Sequence, residues 1–498
     1  MRHRETGGRS PYIKPVRDMS KTAVTRKQTG LLMRRANFSV VAMTQRGNET
    51  GQRVTERLLL IGSVVLITSL AFEALATTNA MPTVVADLGG DRWYSLAAGM
   101  VLAGQIISTT IAGWWADKSG VRTPLFLGLT MFSAGALAAG LAPNLAVFVL
   151  GRAIQGLGAG LVMVPLYVMV GAMVHADRRP MFFAAFSFAW VLPSMVGPFI
   201  AGYIVVHWDW RPVFWLIVPI TLMALLPLIP IVKRMPTPEQ KDVTPPPALT
   251  AALITGLGIV SLQTAGGLQY TPMWIATLIG AVLLVIGMPR LLPKGTFRVA
   301  RGVPSIVAMR VAIMGAMVGA EFFLPLVLDR VHGWVASQTG WAIALGSVTW
   351  TLGSWLQAKV HQWDNRVRTP FFGTLFILGG AALAFTLPVA SIPPFVTLIG
   401  WAFIGLGMGL AHSTSSDLSL GVTEQAKHGD VSASLQLADA LGPALAMGLI
   451  SVALSTWSHI GGGVAPYLPA STVSFVLALL GVIAASRILG LTRRDSDL

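Results

Sequence analysis

The 498-residue chain contains no cysteine, and only 11% of its residues are charged. The first absence excludes disulfide and thiol chemistry. The second excludes a soluble globular protein, in which roughly 25% of the residues would be charged. The sequence also lacks a phosphate-binding loop with a lysine, metal-ligand spacing among its eight histidines, and a nucleophile with a positioned base. We therefore expect no enzyme, no cofactor and no metal site.

What the chain has instead is apolar sequence: 54% of its residues are hydrophobic, and its mean hydropathy is +0.67. Apolar windows of about 20 residues, the length of a membrane-spanning helix, recur along it. They are continuous rather than alternating, which excludes a β-barrel. The fold class is therefore an all-α polytopic membrane protein. The fourteen predicted spans are residues 57–81, 93–115, 124–142, 145–172, 180–206, 212–232, 247–267, 272–291, 303–328, 337–359, 370–389, 394–420, 430–456 and 470–491.

The distribution of basic residues sets the predicted orientation, because loops rich in Lys and Arg stay in the cytosol. With both termini cytosolic, nearly all of the 36 Lys and Arg residues lie in the tails or at the cytosolic side of the spans. The exceptions are Arg92, Arg152, Arg211, Arg310 and Arg330. The net charge of +15 is thus explained by topology, and we expect no nucleic-acid partner.

An internal repeat divides the chain. Val121–Pro124 recurs as Val367–Pro370, Gly151–Leu161 resembles Gly400–Leu410, and Gly197-Pro198 matches Gly442-Pro443. Similar offsets of this kind, 245 to 249 residues, are typical of parallel halves related by an axis along the membrane normal. The predicted parts are a disordered, basic cytosolic tail (1–56), a six-helix half (57–232), a linker with two extra spans (233–302), a second six-helix half (303–491) and a short cytosolic tail (492–498).

The turn between spans two and three carries charge and glycine together. Its residues of interest are Gly113, Asp117, Lys118, Gly120 and Arg122. An acidic group there is able to bind the exposed N–H groups at the end of a neighbouring helix. The alternative is a loop that is basic for topology alone, and the residues themselves leave both open.

This turn resembles the signature loop of the major facilitator superfamily, G-x-x-x-D-K-x-G-x-R. Arg152–Gly158 is similar to the family motif R-x-x-Q-G-x-G, and Gly197–Gly202 to its antiporter motif G-P-x-x-G-G, with Ala201 replacing one glycine. Glu73 takes the place of the first-span acid in the fourteen-helix drug/proton antiporter branch. The resemblance implies that the turn is a cytosolic gate. The second copy of the turn, residues 359–368, lacks the glycines.

Charged residues inside spans are the strongest functional signal, since they are costly there and usually line a cavity. Glu73 and Glu321 lie in the first span of each half, and Arg152 lies at nearly the same depth. We expect these three to form one cluster that binds and releases protons. The alternative is an ion pair that only holds helices together.

Further residues extend this predicted cavity. Arg310 lies on the same face of span nine as Met314 and Met317. Its side chain either lines the cavity or reaches toward the cytosol. Asp439 has no evident partner, and His412 is either a proton carrier or a core residue. The predicted lining also includes Gln155, Trp190, His412, Asp439, Met314 and Met317.

Span five contains Pro193, Gly197, Pro198 and Gly202, which interrupt helical hydrogen bonding and permit close packing. The pattern predicts a hinge; a small-residue packing interface is the alternative.

We therefore expect a monomeric, multi-pass plasma-membrane antiporter that exports amphipathic small molecules, with protons as the coupling ion and the bilayer as its surroundings. Two alternatives remain: a transporter of an endogenous metabolite or lipid, and a membrane sensor or scaffold that transports nothing.

Overall fold

A computed structural model describes residues 20–175, 178–235, 247–360, 362–423, 428–459 and 467–491. Side chains are described from residue 54 onward, with a few exceptions, among them Asp117. The chain forms two compact units, Met1–Arg57 and Leu58–Leu498.

The described ranges are helical and contain no strand. The helices are α1 (Ser20–Asp87), α2 (Tyr94–Ser119), α3 (Arg122–Gly140), α4 (Leu145–Met173), α5 (Arg179–His207), α6 (Arg211–Trp215), α7 (Ile217–Leu225), α8 (Ile229–Arg234), α9 (Pro247–Ala265), α10 (Tyr270–Leu291), α11 (Val303–His332), α12 (Ala336–Ala358), α13 (Trp363–Leu383), α14 (Phe395–Gly421), α15 (His428–His459) and α16 (Leu468–Ser486).

Within the described ranges, twelve helices are long and apolar enough to cross a membrane, which confirms the all-α membrane class. Two of the fourteen predicted spans fall outside this set. One is α12, which has the length but carries many Ser, Thr and Gln residues. The other is the region of α6–α8. The number fourteen and the cytosolic location of the termini stay predictions.

The predicted span 212–232 is broken because it contains four prolines, at positions 212, 219, 227 and 230. Proline lacks the N–H that continues a helix, and its ring clashes with the preceding turn. The chain accordingly forms three short helices, α6, α7 and α8, in place of one.

The N-terminal segment also differs from expectation. Residues 20–56 are helical, as the start of α1, where the sequence predicts a disordered tail. No proline lies between Val16 and Met81 to interrupt a helix. Residues 1–19, 236–246 of the linker and 492–498 lie outside the described residues.

The repeat is visible in how the helices pack. Gly135 of α3 lies against the backbone of Gly151 and Gln155 in α4, and Gly380 of α13 lies in the same way against Gly400 in α14. At both places a Cβ would collide with the facing backbone, so only glycine permits this approach. The third and fourth helices of each half therefore meet through equivalent contacts.

The two helices outside the repeat, α9 and α10, join both halves. Gln263 of α9 packs against Gly99 of α2, and the neighbouring Leu262 packs against Gly448 of α15. Ser451 of α15 also donates a hydrogen bond to the Gln263 carbonyl oxygen (3.0 Å). By contrast, α10 exposes apolar side chains such as Val285. The α9–α10 hairpin thus contacts the first and the second half at once.

Candidate functional site

In the first half, α1 and α4 bring Glu73 and Arg152 together. The Arg152 guanidinium donates a hydrogen bond from Nη1 to Glu73 Oε1, and the two groups form an ion pair. Each side chain is only 3% exposed. Such a pair is stable in an apolar interior only when both charges stay together.

The surrounding groups hold this pair in place. Thr77, one turn after Glu73, donates to Glu73 Oε1 (2.8 Å), and Arg152 also donates to Gln155 Oε1 (2.8 Å). The Phe214 ring lies 5.8 Å from the guanidinium carbon. We call Glu73 and Arg152 the first-half ion pair. Arg152 Nε and Gln155 Nε2 have no partner among the described residues, although both are buried.

The second half contains a different cluster, built from α11, α14 and α15. Arg310 donates to both oxygens of Asp439, from Nε (2.6 Å) and from Nη2 (2.7 Å). Its remaining nitrogen, Nη1, donates to Ser416 Oγ (2.6 Å) and Ser415 Oγ (3.3 Å). Arg310 therefore does not reach toward the membrane surface, and the partner of Asp439 is identified. We call these residues, with His412, the second-half cluster.

His412 completes this cluster at its accessible side. Its Nε2 lies 3.3 Å from Asp439 Oδ1, and its ring packs edge-on against Trp350 at 5.5 Å. The side chains of His412 and Asp439 are 21% and 26% exposed, whereas Arg310 is 6% exposed. The second-half cluster is thus more open than the first-half ion pair.

Sequence reasoning missed Ser415, Ser416 and Trp350. A signal was present, because residues 412–417 read His-Ser-Thr-Ser-Ser-Asp inside an otherwise apolar span. A polar run of this kind in a membrane helix faces the protein interior or a cavity.

Glu321 does not join the cluster predicted for it. The residue is 7% exposed, and its carboxyl makes no hydrogen bond or ion pair to Glu73, Arg152 or any other described residue. Phe322, the next residue, accepts a hydrogen bond from the Tyr94 hydroxyl of α2. Glu321 therefore lies where the two halves meet, without a counter-charge.

The other predicted lining residues are dispersed. Met317 is buried and Met314 is half-buried, both on the face of α11 that carries Arg310 and Glu321. Trp190 of α5 is exposed, while Phe186, one turn earlier, is buried against Tyr167 at 5.4 Å. Trp190 therefore does not pack with Phe186 along α5.

The α5 motif lies at a contact between the halves. Gly202 packs against the Ala336 carbonyl at the start of α12, and a Cβ on Gly340 would lie 2.7 Å from the Pro198 oxygen. Gly197 faces Phe72 of α1. The helix continues through Pro193 and Pro198, so this geometry favours the packing interpretation, and hinge motion stays a prediction.

The predicted gate turn ends α2 and begins α3. Gly120 has a left-handed φ of +82°, Lys118 lies over the Trp114 ring at 5.0 Å, and Arg122 is exposed. Gly113 has open space beside it. The side chain of Asp117 lies outside the described residues, so its predicted partner is not visible.

A group that the sequence did not single out connects the halves at the end of the bundle where α1 ends. Asn79 donates to the carbonyl oxygens of Pro198 (2.7 Å) and Ala336 (2.9 Å), and accepts from Thr339 (2.7 Å). Nearby, Arg330 pairs with Asp91 at 2.7 Å. We call the contacts of Asn79 with Pro198, Ala336 and Thr339 the Asn79 latch.

No three His, Asp or Glu side chains lie close enough to hold a metal ion in the part of the chain that the structure describes. What the two clusters offer is charge and protons. Buried carboxyls beside guanidinium groups can exchange a proton when a substrate or a helix movement separates the partners.

Comparison with known proteins shows what this arrangement is similar to. The family model described as Major Facilitator Superfamily matches residues 61–447. Multidrug transporter protein MdtP of Bacillus subtilis (strain 168) is 27% identical over 464 residues, covering 88% of this chain and 83% of the relative. A Mycobacterium tuberculosis (strain CDC 1551 / Oshkosh) triacylglyceride transporter is 28% identical over 396 residues, covering 72% of this chain and 73% of that protein.

Among solved structures, the D-xylose-proton symporter superposes with a TM-score of 0.59 at 16% identity, covering 87% of this chain and 96% of that chain. An auto-inhibited peptide transporter of the POT family gives a TM-score of 0.61 at 15% identity, covering 86% and 96%. At these identities the likeness is one of fold.

Proposed function

Because the chain belongs to the Major Facilitator Superfamily, we propose that it is a proton-coupled exporter of amphipathic small molecules. The membership and the relatives establish the coarser statement: the chain is a polytopic membrane transporter rather than an enzyme. The relative MdtP is named a multidrug transporter, which supports drug-like compounds as substrates.

The observation that carries the proposal is the charge buried in the bundle. A charged side chain in a membrane span costs several kcal/mol and is usually kept for ion or substrate movement. Here each half keeps a guanidinium–carboxylate pair inside the bundle, the first buried and the second partly exposed, and a third carboxyl, Glu321, lies between the halves. Glu73, Glu321 and Asp439 are the candidate proton carriers.

The contacts between the halves support alternating access. The Asn79 latch and the Arg330–Asp91 pair both hold the end of the bundle where α1 finishes. With the predicted orientation this end is extracytosolic. The exposure of His412 and Asp439 then admits water and substrate from the cytosolic side.

The proposal includes the remaining expectations. The protein works in the plasma membrane as a multi-pass monomer, surrounded by lipid, with a small molecule and protons as its ligands and no nucleic-acid partner. The gate turn at 113–122 closes the cytosolic side in the other state of the cycle.

A second candidate is transport of a lipid or another endogenous metabolite. It is favoured by one finding, the 28% identity to a protein named a triacylglyceride transporter. The exposed apolar face of α10 would then lie along the bilayer from which such a substrate comes.

Purified protein in liposomes that contain a pH-sensitive dye tests the first proposal. Addition of ethidium should release protons, and an imposed pH gradient should drive ethidium against its concentration gradient. Asp209→Asn, which removes an exposed acid paired with Arg211, is the control and should behave like wild type. If Glu73→Gln and Glu321→Gln both leave ethidium-driven proton release unchanged, the mechanism is wrong. Gradient-independent uptake of a fluorescent triacylglyceride would favour the second candidate.

A further inference from the structure

The second copy of the gate turn, residues 359–368, does not fold like the first. In the first copy α2 and α3 are joined through Gly120, whose left-handed φ of +82° permits a tight turn. In the second copy α12 ends at Ala358, α13 begins only at Trp363, and no glycine lies between them. The second connection is therefore longer, and an open cleft lies beside it.

This cleft has the size and the charge of an anion site. Its volume is about 650 Å³, which is within the range of small-ligand sites. Two cations, Lys359 and Arg368, line it together with the polar side chains of Gln362 and Asn365. None of the described residues that line it is acidic, and Asp364, the acid of this turn, is not one of them. The cleft therefore combines positive charge with hydrogen-bonding groups.

Neither cation is neutralised by the described part of the chain. Arg368 is exposed and forms no hydrogen bond or ion pair with a described residue. Lys359 lies over the Trp355 ring at 3.4 Å, a contact that orients the ammonium group without removing its charge. The neighbouring Arg366, by contrast, is paired with Asp417 at 3.0 Å. Both cations of the cleft are thus available to an external anion.

An apolar strip continues from the cleft along α13. Phe372 also lines the cleft, one helical turn after Arg368, and Phe376 follows after another turn on the same face. The two rings are 56% and 38% exposed. The predicted span begins at residue 370, which places Arg368 at the level of the lipid headgroups and both rings in the hydrocarbon. Charge followed by apolar surface is the order of groups in a phospholipid.

We propose that this cleft binds an anionic phospholipid, with its phosphate held by Lys359 and Arg368 and an acyl chain lying along Phe372 and Phe376. Phosphate oxygens accept charge-assisted hydrogen bonds from both cations. Lys and Arg beside a membrane surface attract anionic headgroups, and the exposed rings lose contact with water when an acyl chain covers them. A free phosphate would use the cations but leave the rings uncovered, so the exposed rings favour the lipid. The proposal goes beyond the proposed function and does not depend on the transported molecule.

Two lipids with the same acyl chains and different headgroup charge test the proposal. The purified, delipidated protein is titrated in detergent with phosphatidylglycerol or phosphatidylcholine, and bound lipid is counted by native mass spectrometry. Wild type should bind phosphatidylglycerol at least about tenfold more tightly, since only this lipid carries a net charge. The double variant Lys359→Gln with Arg368→Gln should bind phosphatidylglycerol about tenfold more weakly, and its phosphatidylcholine binding should change less than about twofold.

A second double variant separates this site from the basic surface in general. Lys294→Gln with Arg298→Gln removes the same two charges from exposed positions just before α11 and should keep the preference for phosphatidylglycerol. Glycerol phosphate, which has no acyl chain, should not displace the lipid. Melting curves check that each variant is folded.

Three outcomes would overturn the proposal: no preference in wild type, an equal loss in both double variants, or displacement by glycerol phosphate, which would assign the cleft to a free phosphate. Because lipid binding is measured without transport, this test and the liposome test fail independently.

Discussion

In the first half Arg152 reaches Glu73 from α4 to α1, whereas in the second half Arg310 reaches Asp439 from α11 to α15. In the first pair both side chains are buried, at 3% exposed each. In the second pair the Asp439 side chain is 26% exposed. The helices of the two halves pack through equivalent glycines, so the backbone repeat is kept while the charges are rearranged. A duplicated scaffold can thus hold one buried ion pair and one accessible cluster.

The comparison matters for Glu321 as well. Its counterpart Glu73 has an arginine, a threonine and a glutamine around it. Glu321 keeps the position but has lost the arginine to Trp401. The two acids therefore share a position in the repeat but not an environment.

The largest effect is expected for Arg152→Leu. The substitution leaves Glu73 buried without a counter-charge, which costs about 3–5 kcal/mol. We expect a large fall in the melting temperature of the purified protein and in the yield of folded protein. The double variant Glu73→Leu with Arg152→Leu should recover most of the loss, since removing both charges removes the penalty. A stable single variant would show that the pair is not closed off as described.

A smaller effect is expected for Arg310→Leu. Asp439 would keep His412 as a neighbour and is accessible to water, so the loss should be about 1–3 kcal/mol. The same melting assay compares it with Arg152→Leu. If the two substitutions cost the same, exposure does not distinguish the clusters, and the comparison between the halves fails.

The gate turns provide a third comparison, at the level of transport rate. Asp117→Asn alters the intact turn of the first half, and Asp364→Asn alters the second copy, which lacks the glycines. We expect about a tenfold loss of ethidium export for the first change, which corresponds to about 1.4 kcal/mol. The second change should cost less than about twofold. Each variant is the control for the other, and equal losses would contradict a gate confined to the first half.

Parts of the site were predictable because their causes are local. The depth of Glu73 and of Arg152 follows from helix rise and from where each span begins, and this placed them at one level before any contact was known. The same reasoning could not pair Arg310 with Asp439. They are 129 residues apart, and the rotation of α11 against α15 decides whether they meet.

The prediction for Glu321 shows that equal depth in the membrane is not enough to predict which charged side chains pair. Equal depth put it beside Arg152, but the structure leaves it unpaired because Arg152 is already bonded within its own half. The Asn79 latch could not be predicted from the sequence for a related reason. One asparagine near the end of a span gives no signal until α5 and α12 bring their carbonyl groups to it.

The sequence by itself determined the membrane class, the duplicated halves, the superfamily and the set of buried charges. These follow from hydropathy, from the placement of Lys and Arg, and from motif spacing, all of which are properties of neighbouring residues. Only the tertiary structure decided which charged side chains form ion pairs, and that Glu321 has no partner among the described residues. Pairing depends on the rotation of each helix about its axis, and close glycine contacts between helices set that rotation.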